Sequence, residues 1–467
     1  MPFSSVSFLY FFLPVTAALY FSASRKMKNL ILLIASMFFY FYGEPVYSLL
    51  MAFSSLTGYL YGLWIQKAKS KKEARFALIC SVVFSIGLLV FFKYSDFFIE
   101  NINSLTGADI PLLYIPLPIG ISFYTFQILS YTIDVYRGQV EAERNIIDFS
   151  AYVSLFPQLI AGPIVRYCDI RNDLRSRSHS VSGAASGAGR FVIGLTKKVL
   201  IANTLAELVS SLANAAESTV LLYWISAAAF SLQIYYDFSG YSDMAIGLGR
   251  IFGFHFPENF NYPFVSKSVT EFWRRWHISL GTWFRDYVYI PMGGSRIGKA
   301  NRIRNILVVW FLTGFWHGAQ WNFVIWGLYF AFLLITEKLF LKRVLDRLPR
   351  FFRHLYLILA VTISFVIFNS NGTAMMRTTL KGMFGALGLP FSGVETVYYL
   401  ESYAVVLLIA AVGATPAAAI AAKRLKKSRP GEKAAVFLEP ALYACMLLLA
   451  TGYLVDGSFN PFLYFRF

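Results

Sequence analysis

The sequence predicts an all-α, polytopic membrane protein with about 11–12 transmembrane helices. Three observations carry this expectation. Apolar residues make up 57% of the chain and charged residues 14%, with a mean hydropathy of +0.56. Soluble domains rarely exceed about 50% apolar residues. Apolar runs of membrane length recur along the whole chain, whereas the alternating patterns of roughly ten residues that a membrane barrel needs are absent.

The elements follow in order. The first run, 5–23, has no basic residue before it and Arg25, Lys26 and Lys28 after it. That is the reverse of a secretory signal, so it reads as a retained span. Runs at 29–43, 46–66, 76–92 and 118–136 are long and apolar enough to follow it as spans. Within 148–165, FPQLIAGPI interrupts an apolar run at Pro157, Gly162 and Pro163, with Arg144 and Arg166 on the flanks. A re-entrant hairpin is expected there, because irregular backbone at membrane depth must be covered by protein or line a water-filled cavity. The polar, Ser/Gly-rich stretch from Cys168 to Arg190 predicts a mobile loop. Spans at 190–213 and 219–236 come next.

The segment Val269–Tyr287 has a different pattern. At about 100° per residue, Val269, Phe272, Trp273, Trp276, Leu280, Trp283, Phe284 and Tyr287 gather on one stripe, while Glu271, Arg274, Arg275, Arg285 and Asp286 lie off it. One amphipathic helix lying in the membrane interface is expected, with His277 at the edge of its apolar stripe. Spans at 303–318, 320–338, 354–370, 401–422 and 434–455 complete the bundle, and the segment 369–400 is expected to pack against it.

Basic residues set the orientation. With the amino terminus outside, every one of the 42 Lys and Arg residues except Lys93, Arg377, Lys381 and Arg466 falls in or beside a cytoplasmic loop. The net charge of +17 is therefore explained by topology, and anionic lipid heads or an acidic cytoplasmic carrier suit it better than nucleic acid. A bacterial cytoplasmic (inner) membrane with both termini extracytoplasmic is the expectation. No linker or fixed-period repeat divides the chain, so one domain, 1–467, is expected. Cys80, Cys168 and Cys445 are far apart and show no metal spacing. No metal or tightly bound cofactor is expected. Gly247, Gly249 and Gly253 lack the spacing and preceding strand of a dinucleotide loop, and read as close helix packing.

The block 235–327 holds the polar residues that composition would not place in a bilayer. His317, in TGFWHGAQWNFVIWG, separates two apolar runs, and an ionisable group at that depth points to function. Imidazole both takes and gives a proton near neutral pH. The plainer alternative is an imidazole that only hydrogen-bonds a neighbouring helix. His277 lies in EFWRRWHISL, and Asp237, Ser239, Ser242 and Asp243 lie in YYDFSGYSD. For Asp237 and Asp243, cation binding competes with ordinary helix-end capping.

The runs WRRWHISLGTWFRDYVYIPMGGSR and GFWHGAQW, preceded by DFSGYSDMAIGLGRIFGFHFPENFNYPF, resemble the membrane-bound O-acyltransferase family, in particular its bacterial alginate O-acetyltransferase branch. The resemblance covers nearly the whole chain. It implies helices ringed around a central tunnel, and acyl transfer from a cytoplasmic thioester, acetyl-CoA or an acyl-carrier thioester, towards an extracytoplasmic hydroxyl. It also implies a catalytic role for His317 and a second active-site or donor-positioning role for His277.

Acyl transfer to a hydroxyl needs a base and a stabilised oxyanion. Neutral His317 can supply the base, and Trp316, Trp321 and Asn322 are its neighbours in sequence. Arg274, Arg275 and Arg285 are placed to hold a phosphorylated or acidic donor, and Asp237 is a further candidate for substrate binding. A polysaccharide cannot enter a bilayer tunnel, so a separate periplasmic or surface acetyltransferase of the SGNH (serine-nucleophile) type is expected to finish the reaction. The tail NPFLYFRF, 460–467, resembles the aromatic end of small companion proteins in D-alanylation systems. That makes Tyr464 a candidate covalent relay, the alternative being an interfacial aromatic anchor. D-alanyl or acetyl transfer to a cell-wall polymer is the same-family alternative. Transport of an acyl donor is the alternative of another class.

Overall fold

The computed structural model describes residues 2–296 and 298–457. It is all-α, with no strand among the described residues, and every span read from the sequence falls on helix. Five helices are by themselves long and apolar enough to cross a membrane: Pro45–Lys67, Lys71–Thr106, Trp321–Arg347, Arg350–Asn369 and Gly431–Asp456. Val394–Ser402 and Ala404–Gly413, bent by 57°, make a sixth if they form one span. This is fewer than the sequence count. Other helices, such as Ile121–Tyr136 and Val220–Ile251, are largely buried by protein and carry polar residues that a lipid-facing helix would not tolerate.

The chain forms two compact units, Met1–Phe191 with Met244–Pro257, and Val192–Asp243 with Glu258–Phe467. The long helix Val220–Ile251 gives its first part to the second unit and its last turns to the first. In the first unit, residues 151–165 are buried throughout, following on from helix Ile146–Ser154 into the short helix Phe156–Leu159, as a covered re-entrant segment should be.

Two expectations are corrected. The stretch Cys168–Arg190 is not a loop: Tyr167–Arg175 and Val181–Thr196 are helices. The backbone N–H groups of Arg166 and Gly183 donate to the Asp169 carboxylate and the Ser180 hydroxyl, which satisfies these helix starts. The glycines there serve close packing: a Cβ on Gly187 would come within 2.6 Å of the Gly247 carbonyl oxygen. The segment Val269–Tyr287 is not one helix either. It breaks into Val269–Trp273, Ile278–Phe284 and a π turn, Arg285–Tyr289. The apolar stripe is largely buried as its periodicity required, but His277 stands in the left-handed region (φ 45°, ψ 53°) and turns the chain. For a non-glycine residue that conformation costs energy and persists only where its surroundings hold it.

Candidate active site

The second unit brings both histidines to one aromatic wall. His317 is the last residue of helix Gly298–His317, and after only Gly318, Ala319 and Gln320 the chain re-enters helix at Trp321. This hairpin is tight because its helices meet backbone to backbone. A Cβ on Gly314 would come within 2.3 Å of the Phe323 oxygen, and one on Gly327 within 2.3 Å of the Trp310 oxygen. His317 is 5% exposed, and its ring lies 4.9 Å from Trp326, 5.0 Å from Trp316 and 5.3 Å from Phe368. The Trp316 ring is also 6.3 Å from that of His277, so a single indole separates the two imidazoles.

His277 is fixed by Asn259, which the sequence reading did not single out. The Asn259 oxygen accepts from the Ser279 amide (3.3 Å) and hydroxyl (2.9 Å), and its amide nitrogen donates to Ser242 (3.0 Å). Since that oxygen can only accept, the His277 Nδ1, 3.2 Å away, carries the proton. Nε2 is then left as a buried acceptor, with no hydrogen-bond partner among the described residues. Burial pushes the imidazole down to about 3, so it is neutral at working pH. Backbone pairs Asn261 N to Arg275 O and Ile278 N to Asn259 O clasp NFNYPF against RRWHIS, which explains the turn. The signal for Asn259 was there: a polar residue between aromatic residues in a loop that must bury its backbone.

Two cavities lie in this unit. The first, about 510 Å³, is lined by Trp273, Trp310 and Thr313, and carries Arg274, Arg285 and Lys338 with no acidic residue. Thr313 precedes His317 by one helical turn, about 6 Å of rise. The second, about 390 Å³, has no charged lining residue and includes Phe365, Asn369, Ser370 and Thr378. Phe368, next to Asn369 in the chain, meets the His317 ring. The cavities share no lining residue, and neither lining includes His317.

The other sequence candidates separate. Trp321 is 54% exposed, lying 100° round the helix from the buried Asn322. The face it was expected to fill belongs to Trp326, on the buried stripe Asn322–Trp326–Phe330. The Trp326 indole N–H is buried with no hydrogen-bond partner among the described residues. Asn322 donates to the Phe368 carbonyl (3.1 Å), which ties the two helix ends together beside His317. Arg275 lines a neighbouring groove with Arg353 and Lys342 and pairs with Glu271 (3.0 Å). Arg285 lines the first cavity and pairs with Asp286 (2.7 Å). Asp237 forms a buried ion pair with Lys198 (2.6 Å), which occupies its charge within the protein. Tyr464 lies outside the described residues.

Glu337 is a second residue that local patterns did not reveal. It sits in a π turn, Glu337–Leu341, and accepts from the amides of Val269 (2.6 Å) and Thr270 (2.9 Å), the Thr270 hydroxyl (2.6 Å) and the Tyr356 hydroxyl (3.1 Å). It thereby caps, from another helix, the start of the segment that carries Trp273, Arg274 and His277. Glu337→Ala leaves buried donors unmade, at about 1–3 kcal/mol each. A lower unfolding temperature of the solubilised protein is expected, with Glu337→Gln intermediate; unchanged melting in the alanine variant would contradict the cap.

Comparison with known proteins places this site in a context. Residues 121–378 match the family described as MBOAT, membrane-bound O-acyltransferase. The chain is 42% identical over 389 residues to the probable alginate O-acetylase AlgI of Pseudomonas aeruginosa, covering 82% of this chain and 75% of that protein. It is 32% identical over 423 residues to the peptidoglycan O-acetyltransferase of Helicobacter pylori, covering 83% and 80%. With the teichoic acid D-alanyltransferase of Bacillus subtilis it shares 29% identity over 236 residues, 48% of this chain and 60% of that protein.

Proposed function

This chain belongs to the membrane-bound O-acyltransferase family and is an O-acetyltransferase of multi-pass membrane type, and from that premise we propose that it passes acetyl groups from a cytoplasmic thioester to a secreted polysaccharide, alginate or a similar exopolymer. The observation that carries this reading is the burial of His317 against Trp316, Trp326 and Phe368, one helical turn beyond Thr313, which lines the basic cavity. The membrane is the bacterial cytoplasmic membrane, with the basic cavity on the inner side and both termini outside.

Acetyl-CoA and acylated carrier proteins both present phosphate, which Arg274, Arg285 and Lys338 complement. The thioester passes Trp273 and Trp310 towards His317. The imidazole takes the proton of the attacking hydroxyl as its oxygen bonds to the thioester carbon, and the Trp326 N–H donates to the oxyanion that forms. Collapse expels the thiolate, which recovers the proton from the imidazolium, and the ester leaves through the uncharged cavity. His277 positions the donor: its Nε2 accepts from a donor amide while Asn259 holds the other nitrogen.

The nucleophile in the outer cavity is small or tethered, since a polymer does not fit a cavity of about 390 Å³. The phenol of Tyr464 fills that role as a covalent relay, and a periplasmic or surface SGNH-type transferase delivers the acetyl group to the sugar. Cells without the chain, fed labelled acetate, are expected to export polymer lacking acetyl esters by mass spectrometry. Restoring the chain with Tyr464→Phe should not rescue them; full acetylation in that strain would remove the relay while leaving the transferase reading intact.

A second reading replaces the exopolymer by a cell-wall polymer. The identity to the Helicobacter pylori protein, over most of both chains, favours it. The same labelled-acetate experiment separates the two, because the ester then appears in the wall fraction.

A further inference from the structure

The first unit gathers cations around Tyr20. The Lys28 ammonium stands 4.6 Å from the Tyr20 ring centroid, and the Arg177 guanidinium 5.6 Å from the same ring and 4.5 Å from that of Phe254. The Tyr20 hydroxyl donates to the Phe252 carbonyl (2.8 Å) and so accepts from His179 Nε2 (2.9 Å). Gly253, at φ +82°, makes room for 177–179: a Cβ there would meet Arg177, Ser178 and His179 at 3.2 Å.

The cluster is positive, with the carboxylates of Asp148 and Asp173 acting on Arg177 from nearby without pairing with it. Arg25, Lys26, Lys28 and Arg177 form no ion pair with a described residue. Asn29 accepts from one terminal nitrogen of Arg177, and the other, Nη1, is buried with no hydrogen-bond partner among the described residues. Burial, then Lys28 and Arg177, hold His179 below its ordinary value, a sign of how positive the place is. A guanidinium held between two rings with an unused N–H edge is prepared to bind a phosphate oxygen.

Position says which phosphate. Arg25–Met27 is the short turn between two apolar helices, Leu13–Ser22 and Lys28–Gly43. Phe21 and Met27 beside it are exposed, as are Leu19 and Phe38 along the two helices, forming an apolar track away from the cations. Charge at the turn and apolar surface along the helices match an anionic phospholipid, headgroup and tails together.

We propose that Arg177, Lys28 and Arg25 form a binding site for the phosphate of an anionic phospholipid. The bound lipid ties the first helical hairpin to the 177–179 turn. The test uses the full chain in detergent with phosphatidylglycerol or phosphatidylcholine, followed by native mass spectrometry. The expected result is a retained phosphatidylglycerol that phosphatidylcholine does not replace, with affinity about fivefold lower in Lys28→Gln and again in Arg25→Gln/Lys28→Gln. Arg177→Gln should lose it altogether; because that change also removes the bond to Asn29, the lysine variant is the safer reading. Equal retention of both lipids, unchanged binding in the double variant, or displacement of the lipid by millimolar inorganic phosphate would each overturn the proposal.

Discussion

His317→Ala is expected to lower acetyl transfer to polymer by roughly 100- to 10,000-fold, the range a positioned general base contributes. The variant should still insert, because His317 ends its helix and the ring contacts around it are distributed over Trp316, Trp326 and Phe368. His317→Gln keeps the polar volume and a hydrogen-bonding end but cannot cycle a proton, so it should be nearly as inactive as alanine. The measurement is labelled-acetate incorporation at matched membrane levels of the protein. Retained transfer with altered donor uptake would sink the chemical role and favour transport. A glutamine variant close to wild type would reduce His317 to an imidazole that orients its neighbours.

The second large effect lies in a pair of glycines. Gly327→Ala places a methyl 2.3 Å from the Trp310 carbonyl oxygen and 3.1 Å from the Gly314 Cα, both backbone atoms. Neither can step aside alone, so the helices Gly298–His317 and Trp321–Thr336 must separate. Overpacking of this kind costs about 1–3 kcal/mol or more. The shift also moves His317 against Trp326, where a misplacement of about 1 Å can cost 100-fold in rate. At least a tenfold loss of transfer is expected, with a lower yield of folded protein. Gly87→Ala is the control: a Cβ there meets nothing within 4 Å, and in a helix interior the change should be neutral or mildly stabilising. Equal behaviour of the two variants would remove the hairpin contact as the cause.

Much of this architecture could be read from local pattern. Membrane-length apolarity marks the helices, and the position of His317 between two apolar runs marks its burial. The burial of Val269, Phe272, Trp276, Leu280 and Trp283 followed from their spacing alone. What escaped was decided by partners distant in sequence. The turn at His277 depends on Asn259, 18 residues earlier, and the start of Val269–Trp273 on Glu337, 68 residues later. Periodicity could not see either, so one continuous helix was the natural expectation. Composition misled at Cys168–Arg190, where Ser and Gly serve close packing. Proximity in sequence misled at Trp321, whereas the helical period, applied from Asn322, would have chosen Trp326.

The indoles around His317 have a consequence for the living cell. An open water path between the two faces would let protons run down the gradient that drives ATP synthesis. Trp273, Trp310 and Trp326 pack edge to face, with ring centroids 4.6 to 6.2 Å apart. Rings packed at these distances leave no room between them for a file of water molecules along which a proton could hop. A hydrocarbon-like acetyl arm can slide between such rings where a hydrated ion cannot. On the proposed transfer from one face to the other, the same plug would keep the reacting ester dry and the membrane closed to proton leak.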